Sequence, residues 1–306
     1  MLRIATANIN GIRATRRRGF GEWMATRGCD VVALQEVRAQ AEKIPAGAFG
    51  DFHAALDTGS LPGRSGVAVL TRHPAEAVRT WGATALVRAP GDAHVEPVAA
   101  PDHVPRARGL ARFADEGRYV EVDLADVPLT VASLYLPKGG LPAELQRPER
   151  MRGAPDGGAR YERKMGFMSA FSRYLTRTRR AAAAAGREFL LMGDLNIAQT
   201  HHDVAAWRRS RQADGFLPEE RDWIGRQLSP RTLVDVVRSL HPGEEGPYSW
   251  WSWAGQSFAK DAGWRIDYHL ATPRLARAAV RAEVDREFRG ERLSDHSPVV
   301  VDYDRW

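Results

Sequence analysis

Phe189-Leu190-Leu191-Met192-Gly193-Asp194-Leu195-Asn196-Ile197 is an apolar run of strand length that ends abruptly in polar residues. Four bulky apolar side chains in a row, closed by a glycine, predict a short strand buried on both faces. The same texture recurs on either side. Leu2 to Ala7 ends in Asn8-Ile9-Asn10-Gly11, Val31 to Leu34 ends in Gln35-Glu36, and Leu129 to Leu134 ends at Tyr135. Trp264 to Leu270 contains Asp267, and Ser294-Asp295-His296-Ser297 precedes the run Pro298 to Tyr303. Val67 to Leu70 and Tyr119 to Leu124 are further strand candidates. Between them Tyr161 to Ala185 repeats Met165, Phe167, Met168, Phe171 and Leu175 near the helical period, and Gly186 suits the position just past its end. Strands in adjacent pairs, mixed with helices, predict a mixed sheet.

The chain has 306 residues, enough for one large domain or two small ones, and is 43% hydrophobic and 27% charged. That balance excludes a collagen, a disulfide scaffold and wholesale disorder. The single cysteine, Cys29, excludes an intrachain disulfide and a cysteine-based zinc cluster. The formal net charge of +6 favours polyanionic partners, although arginine-rich usage also follows genome composition. No apolar leader or membrane-spanning stretch is evident, which predicts a cytoplasmic protein with no membrane partner. Similar texture throughout predicts one domain over 1–306, with 83–115, dense in Ala, Pro, Arg and His, as a loop insertion and 151–160 as a shorter Gly-rich loop.

Six strand ends that supply Asn, Glu, Tyr, Asp-x-Asn, Asp and Asp-His predict a distributed site along a sheet edge. Its donors are rich in oxygen, with one histidine nearby, and such a set suits Mg²⁺ or Mn²⁺ better than zinc. Hard cations with few protein ligands commonly serve phosphate esters.

In their order, Asn-Ile-Asn-Gly, Leu-Gln-Glu, Tyr-x-Pro, Gly-Asp-x-Asn-Ile, Arg-Ile-Asp and Ser-Asp-His-x-Pro resemble the exonuclease III-like abasic endonucleases of the endonuclease/exonuclease/phosphatase superfamily. The resemblance runs from Ile4 to about Asp302, interrupted by 83–115. Gly215-Phe216-Leu217-Pro218-Glu219-Glu220-Arg221 and the aromatic stretch Tyr248 to Trp253 resemble the nuclease branch in particular. The resemblance implies a four-layer α/β sandwich, with two mixed β-sheets packed between helical layers. It also implies a monomer and Mg²⁺-dependent hydrolysis of the phosphodiester 5′ to abasic sites in double-stranded DNA. Cleaning of blocked 3′ ends and 3′→5′ exonuclease action would accompany it.

Carried over position by position, the resemblance makes Glu36 the principal metal ligand, with Asp295, and Asn8 through water. Asp194 would orient or deprotonate the attacking water and Asn196 would hold it or a phosphate oxygen, or the two would instead ligate a second metal. His296 would meet the scissile phosphate with Asp267 behind its ring, and Tyr135 would assist the departing oxygen. Whether Asp194 or His296 is the base stays open at this level. Asn10, Arg13, Arg38 and Lys138 are candidate phosphate contacts, with Arg16-Arg17-Arg18 equally readable as solvated surface. Trp250, Trp264 and Ile266 match the abasic-sugar pocket, with Trp251 nearby. Trp250 stands where the family often has Phe, Lys138 where it has Asn or Gln, and Arg38 where it has Lys. His201, His202 and Asp203 are read as loop residues without a ligand role, and His269 as a core histidine. The alternatives are a phosphoesterase of the same fold acting on RNA or on a small or lipid phosphate, and a non-catalytic DNA-binding module. The latter would have lost metal and His-Asp positions that are all present here.

Overall fold

The computed structural model describes residues 1–82, 84–99, 108–150 and 153–306. Its strands in chain order are β1 (Leu2–Asn8), β2 (Val31–Gln35), β3 (His53–Asp57), β4 (Val67–Thr71), β5 (Ala77–Arg79), β6 (Thr84–Arg88), β7 (Glu96–Ala99), β8 (Tyr119–Asp123), β9 (Leu129–Tyr135), β10 (Glu188–Asp194), β11 (Val234–Asp235), β12 (Asp267–Ala271), β13 (Ala279–Val284) and β14 (Val299–Tyr303). They form an eight-stranded sheet in the order β13-β14-β1-β2-β4-β3-β6-β7 and a six-stranded sheet in the order β11-β12-β10-β9-β8-β5. Each sheet is mixed: β1 runs parallel to β2 but antiparallel to β14, and β10 runs parallel to β9 but antiparallel to β12.

Two-sided burial explains why the strands read as continuous apolar runs. Ile4, Val31 and Val69 of the first sheet meet Val122, Val131 and Leu190 of the second in the central core. On the outer face of the first sheet, Leu34 and Leu70 pack under Phe20, Trp23 and Met24 of α2 (Phe20–Arg27), which follows the short helix α1 (Ile12–Arg17). On the outer face of the second, Leu191 and Leu270 pack under Phe167 and Phe171 of α3 (Ala159–Ala184) and Trp223 of the helix Pro218–Gln227. Helix, sheet, sheet, helix is the expected four-layer sandwich. No helix among the described residues is long and apolar enough to cross a membrane.

The segment 83–115 departs from its reading as loop. Residues 83 and 100–107 lie outside the described residues, as do 151 and 152 of the Gly-rich stretch. The remainder of the insertion contains β6 and β7, an antiparallel pair that extends the first sheet, and a 3₁₀ segment Arg108–Glu116. The strands are short and carry charges on an edge, so their alternation is too brief to register in sequence. Arg88 anchors the pair: it is buried, and its guanidinium donates to the carbonyls of Ala41 and Ile44 at 2.9 and 3.2 Å.

Register converts this architecture into a site. Asp194 lies directly opposite Tyr135 on one side and Asp267 on the other, so three strands deliver one row of functional side chains. Gly193 makes the close approach possible. Its φ is +138°, and a Cβ there would collide with the carbonyl oxygen of Leu134. We expect Gly193→Ala to push β10 off β9 at a cost on the order of 3 kcal/mol. Thermal unfolding should register this as a Tm several degrees lower, and a variant as stable as the parent would contradict the close packing.

Candidate active site

The two sheets meet in a cleft of about 460 Å³ lined by Asn10, Glu36, Arg38, Tyr135, Lys138, Asp194, Asn196, Trp250, Trp264, Ile266, Asp295 and His296, with Ala213, Asp214 and Gly215. All but the last three come from positions that the sequence singled out. Four of the eight non-glycine residues with positive φ among the described residues are here: Asn10, Glu36, Arg38 and Asn196. Left-handed backbone at Glu36 and Arg38 costs about 1–3 kcal/mol each and clusters where function over-determines geometry. Backbone bonds hold the turn, from Gly11 N to the Glu36 carbonyl at 2.8 Å and from Val37 N to the Gly66 carbonyl at 2.9 Å.

Asn8 joins the sheets. Its amide nitrogen donates to Glu36 Oε1 at 3.0 Å and to Asp194 Oδ2 at 2.9 Å, while its oxygen accepts from Asn10 N at 3.1 Å. Two buried carboxylates need a donor between them, so the nitrogen faces both, and the role at a metal expected through water falls to the oxygen, which keeps a second lone pair. Asn196 is held at the cleft wall: its amide nitrogen donates to the Leu136 carbonyl at 2.9 Å, and its backbone N–H donates to Asp194 Oδ1 at 2.8 Å.

His296 Nδ1 lies 2.9 Å from Asp267 Oδ2, which also accepts from Ser249 Oγ at 2.6 Å. His296 Nε2 lies 3.8 Å from Asp194 Oδ2. Burial disfavours the imidazolium, but Asp267, with Asp194 and Asp295 behind it, outweighs burial and raises the His296 pKa. Burial also raises the Asp194 carboxyl, helped by Asp267 and Glu36 and opposed by His296. Both shifts have the same origin, a histidine and two carboxylates enclosed together, with Asp267 the nearer partner of the ring. Asp295 behaves oppositely. Burial works against its anion, yet the His296 cation and hydrogen bonds from Trp250 Nε1 (3.1 Å) and Asn10 Nδ2 (2.8 Å) hold its pKa below the ordinary range. Only Trp, not Phe, can make the Trp250 bond. Burial, then the charges of Glu36 and Asp194, lift the Tyr135 phenol well above its usual pKa, so it keeps its proton.

Among the described residues, Asp194, Asp267 and His296 are the group whose ligand atoms lie within 4.8 Å of one another. The His296–Asp267 bond uses Nδ1 and Oδ2 only, which leaves His296 Nε2, Asp194 and the buried, unpartnered Asp267 Oδ1 as donor atoms there. Glu36 and Asp295 are different. Both face the cleft with hard oxygen donors, and the groups now on them, the Arg38 guanidinium on Glu36 and the Asn10 amide on Asp295, are donors holding places a cation can take. The donor chemistry fits a divalent ion.

Trp251, expected among the DNA contacts, is fully buried. Its Nε1 donates to Asp261 Oδ1 at 3.1 Å and its ring packs edge-on against Phe258. The extended backbone alternates, so Trp250 faces the cleft and Trp251 the interior. Arg13 is exposed on α1 and does not line the cleft. Asp203 is consumed by Arg265 at 2.7 Å and by Arg238, which leaves His201 and His202 without it. His269 is buried, with Nε2 3.2 Å from the Val299 carbonyl, as a core histidine should be. Ser249 and Asp214 were missed, because an isolated serine or aspartate in a loop carries no periodic signal.

Buried carboxylates, a histidine bonded to one of them, a protonated phenol and oxygen donors suited to a cation are the groups that phosphoester hydrolysis uses, here gathered on a two-sheet sandwich. The chain belongs to the Endonuclease/Exonuclease/phosphatase family, whose profile matches residues 5–296, and it is an enzyme that hydrolyses phosphodiester bonds. It is 25% identical over 301 residues to an exodeoxyribonuclease of Bacillus subtilis, covering 98% of both chains. It is 26% identical over 305 residues to a DNA-(apurinic or apyrimidinic site) endonuclease of Dictyostelium discoideum, covering 98% of this chain and 70% of the relative. An AP endonuclease from Archaeoglobus fulgidus shares the fold, with a TM-score of 0.75, 24% identity and full coverage of both chains. So does a Neisseria 3′ phosphatase solved with a product DNA hairpin, with a TM-score of 0.76, 23% identity and full coverage of both.

The Asn8 bridge has a measurable signature. In Asn8→Ala, Glu36 and Asp194 face each other without a shared donor, so the higher carboxyl of the pair rises further above its unfolded value. A carboxyl raised on folding supports the fold below its unfolded pKa and loses that support as pH climbs through the folded one. Urea unfolding in EDTA should therefore show a larger loss for Asn8→Ala near pH 8, about 1–3 kcal/mol, than near pH 5. Equal losses at both would rule out the bridge as the source.

Proposed function

We propose that the enzyme is a Mg²⁺-dependent DNA-repair phosphodiesterase that hydrolyses the bond 5′ to abasic sites in duplex DNA, trims blocked 3′ ends and acts as a 3′→5′ exonuclease. The observation that carries this reading is the row Tyr135–Asp194–Asp267, completed by His296, beside an apolar wall of Trp250, Trp264 and Ile266. Trp250 and Trp264 meet edge to face, with centroids 6.4 Å apart. A pocket walled by two indoles and an isoleucine accepts a sugar without its base, whereas an intact nucleotide must be unstacked at higher cost. The names of the relatives, an apurinic-site endonuclease and an exodeoxyribonuclease, support the same substrate.

Glu36 and Asp295 would hold the cation, Mg²⁺ or Mn²⁺ in its place, which would supply polarisation of a phosphoryl oxygen. The raised Asp194 carboxyl is the proton acceptor for the attacking water, since the hydrogen bond to Asp267 keeps His296 charged and unable to accept. His296 Nε2 presents that charge to the phosphate, Tyr135 donates to the departing oxygen, and Arg38 and Lys138 position the strand.

The test uses duplexes with a tetrahydrofuran abasic analogue, a recessed 3′ end or a blocked 3′ end, each with Mg²⁺ and with EDTA. We expect metal-dependent incision at the analogue, with kcat lowered roughly 10²–10⁴-fold in Asp194→Asn. The acid limb of kcat/KM should lie above the ordinary carboxylate range, because protonating Asp194 removes the base. Digestion of the recessed end alone would reassign the enzyme as an exonuclease. Failure on every duplex by folded protein, with Mn²⁺ also tried, would defeat the reading.

A further inference from the structure

We propose that Trp253, Arg289 and Arg292 form a ledge beside the cleft that grips nucleic acid outside the scissile nucleotide, the guanidiniums on a backbone phosphate and the indole on a neighbouring nucleotide. The inference rests on the nuclease reading and extends it from the end of the aromatic stretch Tyr248 to Trp253 to two arginines that no motif identified.

Trp253 is 43% exposed, while the other large aromatic side chains among the described residues are covered or half-covered. The Arg289 guanidinium carbon lies 3.8 Å from the centre of its ring, and that of Arg292 lies 5.1 Å away. Neighbouring arginines are neutralised: Arg286 pairs with Asp261 at 2.7 Å, and Arg27 with Asp285 at 2.6 Å and with Glu287. Arg289 is not. It is 7% exposed, its Nε is buried without an acceptor, and among the described residues it has no carboxylate within salt-bridge distance. Its guanidinium rests instead on the rings of Trp253 and Phe258, with the Asp295 charge beyond salt-bridge distance, and an anion arriving from outside would supply the hydrogen bonds that this covered cation lacks. Arg292, exposed and held at φ +59°, adds a second positive charge over the same ring.

The ledge shares its wall with the site. The segment that carries Arg289 and Arg292 continues directly into Asp295 and His296, and Trp251 N donates to the Asp295 carbonyl at 3.0 Å. Arg18 Nη1 donates to the Arg292 carbonyl at 2.9 Å, and Thr15 Oγ1 donates to the Leu293 carbonyl at 3.2 Å. The run Arg16-Arg17-Arg18, exposed at the end of α1, therefore adjoins the ledge. A ligand that satisfies both halves carries regularly spaced anions and flat π-faces, which describes a nucleic acid strand. An acidic protein surface would supply only the charge.

The experiment is fluorescence anisotropy of a labelled duplex carrying the abasic analogue, in EDTA, from about 50 to about 200 mM salt. Arg289→Gln/Arg292→Gln should bind about tenfold more weakly at low salt. The slope of log K against log[salt] should become shallower by about 1–2, since each phosphate left unneutralised removes about 0.9. The exposed Arg292→Glu should shift the slope the same way without threatening the fold. Trp253→Ala should bind roughly 5–50-fold more weakly at unchanged slope, as the absence of one stacked base predicts, and Trp253→Phe should retain most of the affinity. Parental affinity and slope in the arginine variants, or weaker binding at an unchanged slope in Arg292→Glu, would overturn the ledge and leave the nuclease reading intact. A parent that binds no duplex would instead overturn the reading beneath it.

Discussion

The hydrogen bonds from the Asn8 amide to Glu36 and Asp194 are the contact on which the site depends. They are the point where the two sheets exchange functional groups, since Asn8 and Glu36 belong to strand ends of the first sheet and Asp194 to the second. Just below, Gln35 Nε2 donates to Ser133 Oγ at 2.9 Å, and Ser133 Oγ donates to the Leu34 carbonyl at 2.9 Å, so a second polar tie sets the sheet spacing. Facing sheets in close-packed apolar contact can slide by small amounts at little cost. Buried polar ties with directional partners do not permit it.

From that fixed spacing the electrostatics follow. Glu36, Asp194 and Asp267 are buried, Asp295 is half-buried, all four are acidic, and His296 lies between Asp194 and Asp267. Such a cluster cannot hold four independent anions. It divides into a bonded pair, His296 with Asp267, a carboxyl at Asp194 whose pKa burial raises, and one at Asp295 whose pKa its partners lower. The Arg38 guanidinium meets the charge of Glu36 from within the chain. One burial pattern thus gives chemically similar side chains different proton affinities.

A second buried ion set holds the loops that carry the pocket. Lys164 of α3 is fully buried, 2.6 Å from Glu220, and donates to the carbonyls of Lys138 and Asn196 at 3.0 Å each. One ammonium thus joins the turns after β9 and β10 to the helix Pro218–Gln227. Fully buried Arg265 plays the corresponding part under the tryptophan loop, through Asp203 and Asp235. These interior charges explain how irregular loops, which bring little apolar burial of their own, keep cleft residues in register.

By itself the sequence determined the strands that are buried on both faces, the long helix α3, and the polar residues at the strand ends. A strand covered on both sides must be apolar throughout, and the first polar residue marks where it leaves the core. β1, β2, β9 and β10 were legible for that reason, and with them Asn8, Glu36, Tyr135 and Asp194. The pair β6 and β7 at the end of the first sheet was not, because short half-exposed strands alternate too briefly. Tertiary structure alone decided the register that sets Asp194 between Tyr135 and Asp267, the amide of Asn8 that faces carboxylates with its nitrogen, and the division of the tryptophans into cleft, core and ledge. Those outcomes depend on which partner a side chain meets across the fold, and distance along the chain carries no record of that.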